Sequence, residues 1–158
     1  MKDKKKIIIL SFVLLILIII IILLSINIKN KSTFVKPEFD INILTEIPES
    51  IDYKDSTLNI SENYDVYING LPKVEDDNLV IDFISLKENN VWIKIRVLDE
   101  TEKVIAESGL VKPGEYLRSI NLSKQKQKND KIIYMIIGYE IDTYLSAGTI
   151  KLNTRIGE

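Results

Sequence analysis

Trp92, Lys94 and Arg96 occupy every second position of one stretch, with Ile93 and Ile95 between them. In an extended backbone that spacing puts an aromatic ring and two cations on one face. Such a face grips a sugar or a partner's apolar and acidic side chains. Tyr67 stands opposite the apolar side of its own stretch and is expected to join Trp92 in an aromatic platform. The plainer reading is that the indole covers the stems of its lysine and arginine neighbours. Lys124, Lys126 and Lys128 alternate with Gln125 and Gln127 and suit an anionic wall polymer or lipid headgroups. A solvated hairpin tip has the same composition.

Carboxylates form two further groups. Asp99, Glu100 and Glu102 with Glu107 resemble the pair that glycosidic chemistry needs, two carboxyls about 5 to 9.5 Å apart. Turns of any acidic β protein offer the same residues. Glu75, Asp76, Asp77 and Asn78 are oxygen ligands of the kind calcium takes, but their spacing matches no calcium loop.

What is missing narrows the chemistry further. The chain holds no histidine and no cysteine. That removes the commonest general base, thiolate nucleophiles, thiolate metal sites and disulfides together. Ser146 has no histidine to activate it. We therefore expect no catalytic residue, no metal site and no cofactor. Setting aside the first 28 residues, with four lysines and one aspartate, leaves 17 basic against 22 acidic residues. That excess of five acidic groups argues against a nucleic-acid partner.

These groups are delivered by an unusual N-terminus. Ile7 to Ile26 is twenty residues without charge, proline or glycine, and only Ser11 and Ser25 are polar. As a helix it spans roughly 30 Å, the thickness of a bilayer's hydrocarbon core. Lys2, Lys4, Lys5 and Lys6 crowd the short end, which places the N-terminus in the cytoplasm and the rest outside. A cleaved signal peptide has a shorter apolar region and a small-residue cleavage site, and Leu24-Ser25-Ile26-Asn27 offers none. The expected layout is a cytoplasmic tail at 1–6, a transmembrane signal anchor at 7–28, an extracytoplasmic stalk at 29–50 and a β domain at 51–158. Pro37 and Pro48 mark the stalk, with a short extended piece at Phe39 to Leu44.

From Ile51 the apolar period is two. Leu58 and Ile60; Tyr64, Val66 and Ile68; Leu79, Ile81 and Phe83; and Val91, Ile93, Ile95 and Val97 each line one side of a strand. Asn69-Gly70, the acidic run 75–78, Asp99 to Glu102 and Val111 to Gly114 read as turns. Both faces of Lys131 to Glu140 are apolar, as in a central strand covered on two sides. Ile150, Leu152, Thr154 and Ile156 alternate with Lys151, Asn153 and Arg155 in a last strand. The fold class is all-β: a transmembrane helix followed by an antiparallel immunoglobulin-like β-sandwich of about seven strands, with an open Greek-key barrel as alternative.

Leu110, Lys112 to Tyr116, Gly138 to Glu140, Tyr144, Ser146 to Gly148 and Leu152 to Thr154 form a pattern. In it a Leu-x-x-Pro-Gly-Glu-Tyr turn precedes a Gly-Tyr-Glu…Tyr-x-Ser-Ala-Gly…Leu-Asn-Thr run. The pattern resembles small single-span envelope proteins of Firmicutes. The resemblance implies a membrane-tethered, immunoglobulin-like domain outside the cell and brings no activity. At Glu100 to Lys103 the family's usual hairpin glycine is replaced by Glu102. The functional expectation is a non-enzymatic module for protein–protein or cell-wall contact, with carbohydrate or wall-polymer binding through the Trp92 face as the alternative.

Overall fold

The computed structural model describes residues 12–21, 34–51, 58–61, 64–123 and 126–157, with 58–61 as backbone alone. Two compact units divide the chain, Met1–Val35 and Lys36–Glu158. In the first, residues 12–21 form a helix. Every side chain from Phe12 to Ile21 is between 43% and 64% exposed, so the helix is apolar all round and buries no face. Among the described residues no helix is long and apolar enough to cross a membrane. The tail at 1–6, the flanks of the expected anchor and the first residues of the expected stalk lie outside the described residues.

The second unit is mostly antiparallel β. Its strands are β1 (Ile43–Leu44), β2 (Leu58–Ser61), β3 (Tyr64–Tyr67), β4 (Lys73–Glu75), β5 (Asn78–Ser85), β6 (Val91–Asp99), β7 (Val104–Val111), β8 (Tyr116–Asn121), β9 (Lys131–Glu140) and β10 (Ser146–Arg155). One sheet runs β10-β9-β6-β7. The other runs β1-β8-β5-β3-β2, and β4 pairs with β5 beside it. Among the described residues there are ten strands where about seven are expected; two of them are short pieces, Ile43–Leu44 on the edge of β8 and Lys73–Glu75 on β5 beside β3.

Residues of both sheets form one buried cluster. The first sheet contributes Ile93, Ile95, Val97, Ile132, Tyr134 and Ile136, and the second Val66, Leu79, Ile81, Phe83 and Leu117. β6 alternates buried and half-buried positions from Val91 to Val97, as its sequence dictates. β9 lies centrally, between β10 and β6. Its outer side is covered only in part: Ile133, Met135 and Tyr139 there are half-buried and Ile137 is buried, while Ile132, Tyr134 and Ile136 on the inner side are all buried. The apolar outer residues of this strand are under a partial cover rather than a second layer.

Turn chemistry departs from expectation at two places. Asn69-Gly70 bends the chain through an Asn69 Oδ1 that accepts from the Leu71 amide at 2.9 Å, yet β3 and β4 do not pair with each other. Both add to β5 instead. At the β6–β7 turn Glu102 takes the left-handed backbone a glycine would favour, with φ at 60°. Asp99 holds it there, accepting from the Thr101 amide and hydroxyl and the Lys103 amide. The Thr101 hydroxyl and the Lys103 amide lower the Asp99 carboxyl's pKa.

The stretch expected as stalk contributes to this unit from Lys36 onward. Phe39 makes a parallel bridge to Leu110 at the free edge of β7. Four residues later β1 pairs with β8 in the other sheet, Ile43 opposite Leu117 and Leu44 opposite Tyr116. The chain thus caps the edges of both sheets in passing, which removes unpaired backbone groups there. Pro37 is compatible because it precedes the paired residues.

Ile93 and Ile136 are fully buried and both belong to the shared cluster. Ile93→Ala and Ile136→Ala are each expected to cost about 2 to 5 kcal/mol, read as a lowered urea midpoint at unchanged slope.

Candidate functional site

Burial of the Val91, Ile93 and Ile95 side chains forces Trp92, Lys94 and Arg96 onto the outer face of the first sheet. Trp92 is half-buried there because two other segments bring rings against it. Phe39 meets it edge-on, with centroids 5.0 Å apart and planes at 82°. Tyr144 lies on its other contact at 5.0 Å and 54°. Lys36 places its ammonium 4.6 Å from the Tyr144 centroid, and Lys112 does the same to Phe39 at 4.6 Å. Three rings and two cations therefore converge from four separate parts of the chain.

Each part is held by identifiable contacts. Tyr144 sits in the loop between β9 and β10 with φ at 58°, and Asp142 beside it has φ at 78°. The Tyr144 amide donates to the Glu140 carbonyl at 3.0 Å, and the Glu140 amide to the Leu145 carbonyl at 2.9 Å. The Thr143 hydroxyl fastens the same loop to the Glu140 carboxylate at 2.7 Å. Lys112 opens the turn Lys112-Pro113-Gly114-Glu115, in which Gly114 has φ at 80° and the Glu115 amide reaches the Lys112 carbonyl at 3.2 Å. That is the geometry of a type II turn.

Phe39 depends on an irregularity in β7. Lys94 pairs with Leu110 and Arg96 with Glu107, so Ile95 faces two residues, Ser108 and Gly109. The Ser108 hydroxyl accepts from the Ile95 amide at 2.9 Å. The Gly109 amide turns to the Asp40 carboxylate at 2.8 Å instead. A Cβ on Gly109 would lie 2.4 Å from the Asp40 nitrogen, so only glycine admits the chain here. The Asp40 amide donates to the Leu110 carbonyl at 3.0 Å and the Leu110 amide to the Glu38 carbonyl at 2.8 Å.

Below the rings the face becomes ionic. Glu107 receives Lys94 at 2.6 Å and Arg96 at 2.5 Å. The Lys94 side chain is only 12% exposed. Lys94 and Arg96 are therefore committed to a carboxylate within the face, and the cations beside the rings are Lys36 and Lys112. Tyr67 is on β3, in the other sheet, so the expected Trp92–Tyr67 platform does not form. Lys124 lies outside the described residues. Lys126 is half-buried and lines a cleft with Asp76 and Asp77, and Lys128 is exposed.

Of the candidate carboxylates, Asp99, Glu100, Glu102, Glu107 and Glu75 each have a cationic or hydrogen-bonding partner of their own. Glu102 pairs with Lys151 at 2.8 Å and Glu100 with Lys131 at 3.4 Å, while Asp99 binds its own turn. Glu75 is held by Lys73 at 2.8 Å and Arg118 at 2.7 Å. Among the described residues no three acidic side chains converge as metal ligands. Trp92 was legible as an outward residue; Phe39, Lys36, Lys112 and Tyr144 were not placed beside it. The signal for Phe39 was Gly109, a glycine in mid-strand that marks close approach of another backbone.

Burial raises the pKa of the Glu107 carboxyl, but hydrogen bonds from Lys94 and then Arg96, with their charges, outweigh it and leave it below its ordinary value of 4.5. The pairs' contribution is thus fully present above that value and is lost as pH falls through the lowered folded one. Glu107→Gln is expected to cost about 0.5 to 1 kcal/mol at pH 7, the range for solvent-screened pairs. The difference from the parent protein closes in acid, read by urea unfolding across pH.

No family model matches the chain, and no curated protein does. Among solved structures it is similar to Ruminococcus gnavus beta-glucuronidase in complex with uronic isofagomine, at 12% identity and a TM-score of 0.38. That match covers 58% of this chain and 14% of the other, a likeness too slight to carry any statement about activity.

Proposed function

We propose that this chain is a membrane-anchored, extracytoplasmic contact module, non-enzymatic, whose immunoglobulin-like β-sandwich meets an envelope protein through the Trp92 face. The observation that carries the reading is the cluster of Phe39, Trp92 and Tyr144 on an outward sheet face. Half-buried aromatic rings are the side chains on which protein contacts concentrate. Three further features support the rest. Two mostly antiparallel sheets share one core, as a sandwich requires. The described part of Ile7 to Ile26 is a helix with apolar side chains exposed on every side, which suits lipid and not water. The lysine-rich flank orients such an anchor with its N-terminus in the cytoplasm. The similarity of Leu110 to Thr154 to single-span Firmicutes envelope proteins points the same way. No cofactor and no nucleic acid enter this reading.

A second reading takes an anionic wall polymer as the ligand. Lys36 and Lys112 favour it, since their ammonium groups stand over the outer rings of the cluster. The ring geometry weakens a neutral sugar: edge-on and tilted planes leave no flat platform for stacking.

The test uses the full chain in detergent, immobilised and exposed to a Gram-positive envelope extract, and in parallel mixed with sacculi that retain or lack their anionic polymers. Trp92→Ala is expected to abolish recovery of the specific partner while leaving the far-ultraviolet spectrum unchanged. Sedimentation with polymer-bearing sacculi, lost on Trp92→Ala, replaces the first reading by the second. Recovery that ignores Trp92 in both arms removes the face as the contact surface.

A further inference from the structure

The contact face is built partly from a segment that is lightly held. Lys36 to Asp40 contributes Phe39 and Lys36, yet it joins the domain through few groups. The Asp40 and Leu110 amides make one hydrogen bond each across the bridge, and the Gly109 amide makes a third to the Asp40 carboxylate. By contrast β9 and β10 match nine residue pairs along their length. Phe39 remains 39% exposed and Ile41, immediately after the strap, 94%. Local stability follows the number of buried contacts and protected hydrogen bonds, so such a segment opens well before the sheet beneath it.

The docking position is built for a reversible guest. At the irregularity in β7, Ser108 supplies the hydrogen bond that Ile95 would otherwise lose. The Ile95 amide is therefore satisfied within the sheet whether or not the strap is present, and the groups that undocking exposes are those of the edge residues Gly109 and Leu110. Gly109 and Leu110 both present their amides to the strap, and the missing Gly109 side chain is the space the strap backbone fills. The exposed turn at Ile41–Asn42 lies just downstream, where the Asn42 amide donates to Asp40 Oδ1 at 2.9 Å. Beyond it Ile43 packs against the core through β1, which holds the chain when the preceding residues leave.

We propose that Lys36 to Asp40 is a detachable strap, hinged at Ile41–Asn42, whose docking at Gly109 assembles the aromatic contact face. The proposal rests on the reading of that face as the contact surface and adds its regulation. Undocking removes Phe39 and Lys36 from the cluster and leaves Trp92 with Tyr144 alone. A partner that touches Phe39 or Lys36 binds the docked form, so its binding and strap docking strengthen each other by the same factor. The strap is also the first part of the β unit reached along the chain from the expected anchor.

Trp92 is the chain's single tryptophan, so its fluorescence reports the strap without any added label. The experiment uses the full chain in detergent. In the unmodified protein the amides of Asp40, Gly109 and Leu110 are expected to exchange together, about tenfold or more faster than those of Ile95 and Ile136. Gly109→Ala, which drives a methyl into the strap backbone, and Asp40→Ala, which removes the Gly109 acceptor, are each expected to shift Trp92 emission to the red. Quenching by acrylamide rises severalfold in both, with sheet signals unchanged. Exchange of the three amides only at the global rate, or Trp92 emission unchanged in both variants, overturns the proposal. Should Gly109→Ala fail to fold, exchange in the unmodified chain decides alone. These readouts involve no partner, so a strap that opens beside a face that captures nothing would sink the contact reading and leave this one standing.

Discussion

Everything on the outer face follows from the alternation of β6. A strand cannot bury Ile93 and Ile95 without turning Trp92, Lys94 and Arg96 away from the core. A slip by one residue would bury two cations and an indole nitrogen, at a cost of several kilocalories for each unpaired ion. The register is therefore set by the core and not by the face. β9 and β7 on either side lock it, with Ile95 opposite Ile136 and Arg96 opposite both Met135 and Glu107. The Glu107 carboxylate then pairs with both cations that the core has expelled and offsets one of their two charges.

A sheet with such a face still has two edges, and the chain treats them differently. The β7 edge is met by the strap and the β8 edge by β1, so one short passage of chain closes the same side of both sheets. At β10 protection comes from its own composition. Lys151 and Arg155 stand on its exposed positions, and its register shifts between Ser146 and Gly148. Charges and a bulge are the usual deterrents to further strand addition. Tyr64 ties this edge to the other sheet, donating to the Gly148 carbonyl at 3.0 Å while its ring lies over Gly138, where a Cβ would come within 2.6 Å. Burial pushes the Tyr64 hydroxyl's pKa up, as expected for a group kept neutral in the core.

The strands were legible because period two is a local signal, carried by residues such as Leu79, Ile81 and Phe83 that lie two apart in the sequence. What could not be read is long-range. Nothing local in Lys36 to Leu44 says that its partners are Leu110 and Leu117, some seventy residues away. Likewise Tyr67 and Trp92 look alike in sequence, each opposite an apolar side, and only sheet membership separates them. Asn69-Gly70 misleads for a related reason. A tight-turn pair is a preference of the backbone, whereas pairing of β3 and β4 with β5 is decided by burial of Val66 and Leu79 against the shared core.

The loop that presents Tyr144 shows how the cluster supports itself. Two non-glycine residues with positive φ, Asp142 and Tyr144, stand within three positions, and each costs of order 1 kcal/mol or more. Glycine at 144 would relieve its share of that cost but would leave no ring there. Strained backbone persists where surrounding contacts over-determine it, and here those contacts are Trp92 on one side and Lys36 above. Lys36 belongs to the strap. Docking of the strap therefore helps hold the strained loop, the loop holds the ring, and the ring gives the strap a surface to close on. Such mutual dependence makes a face of few contacts behave as a unit, present when all three segments meet at Trp92 and diminished when any one of them leaves.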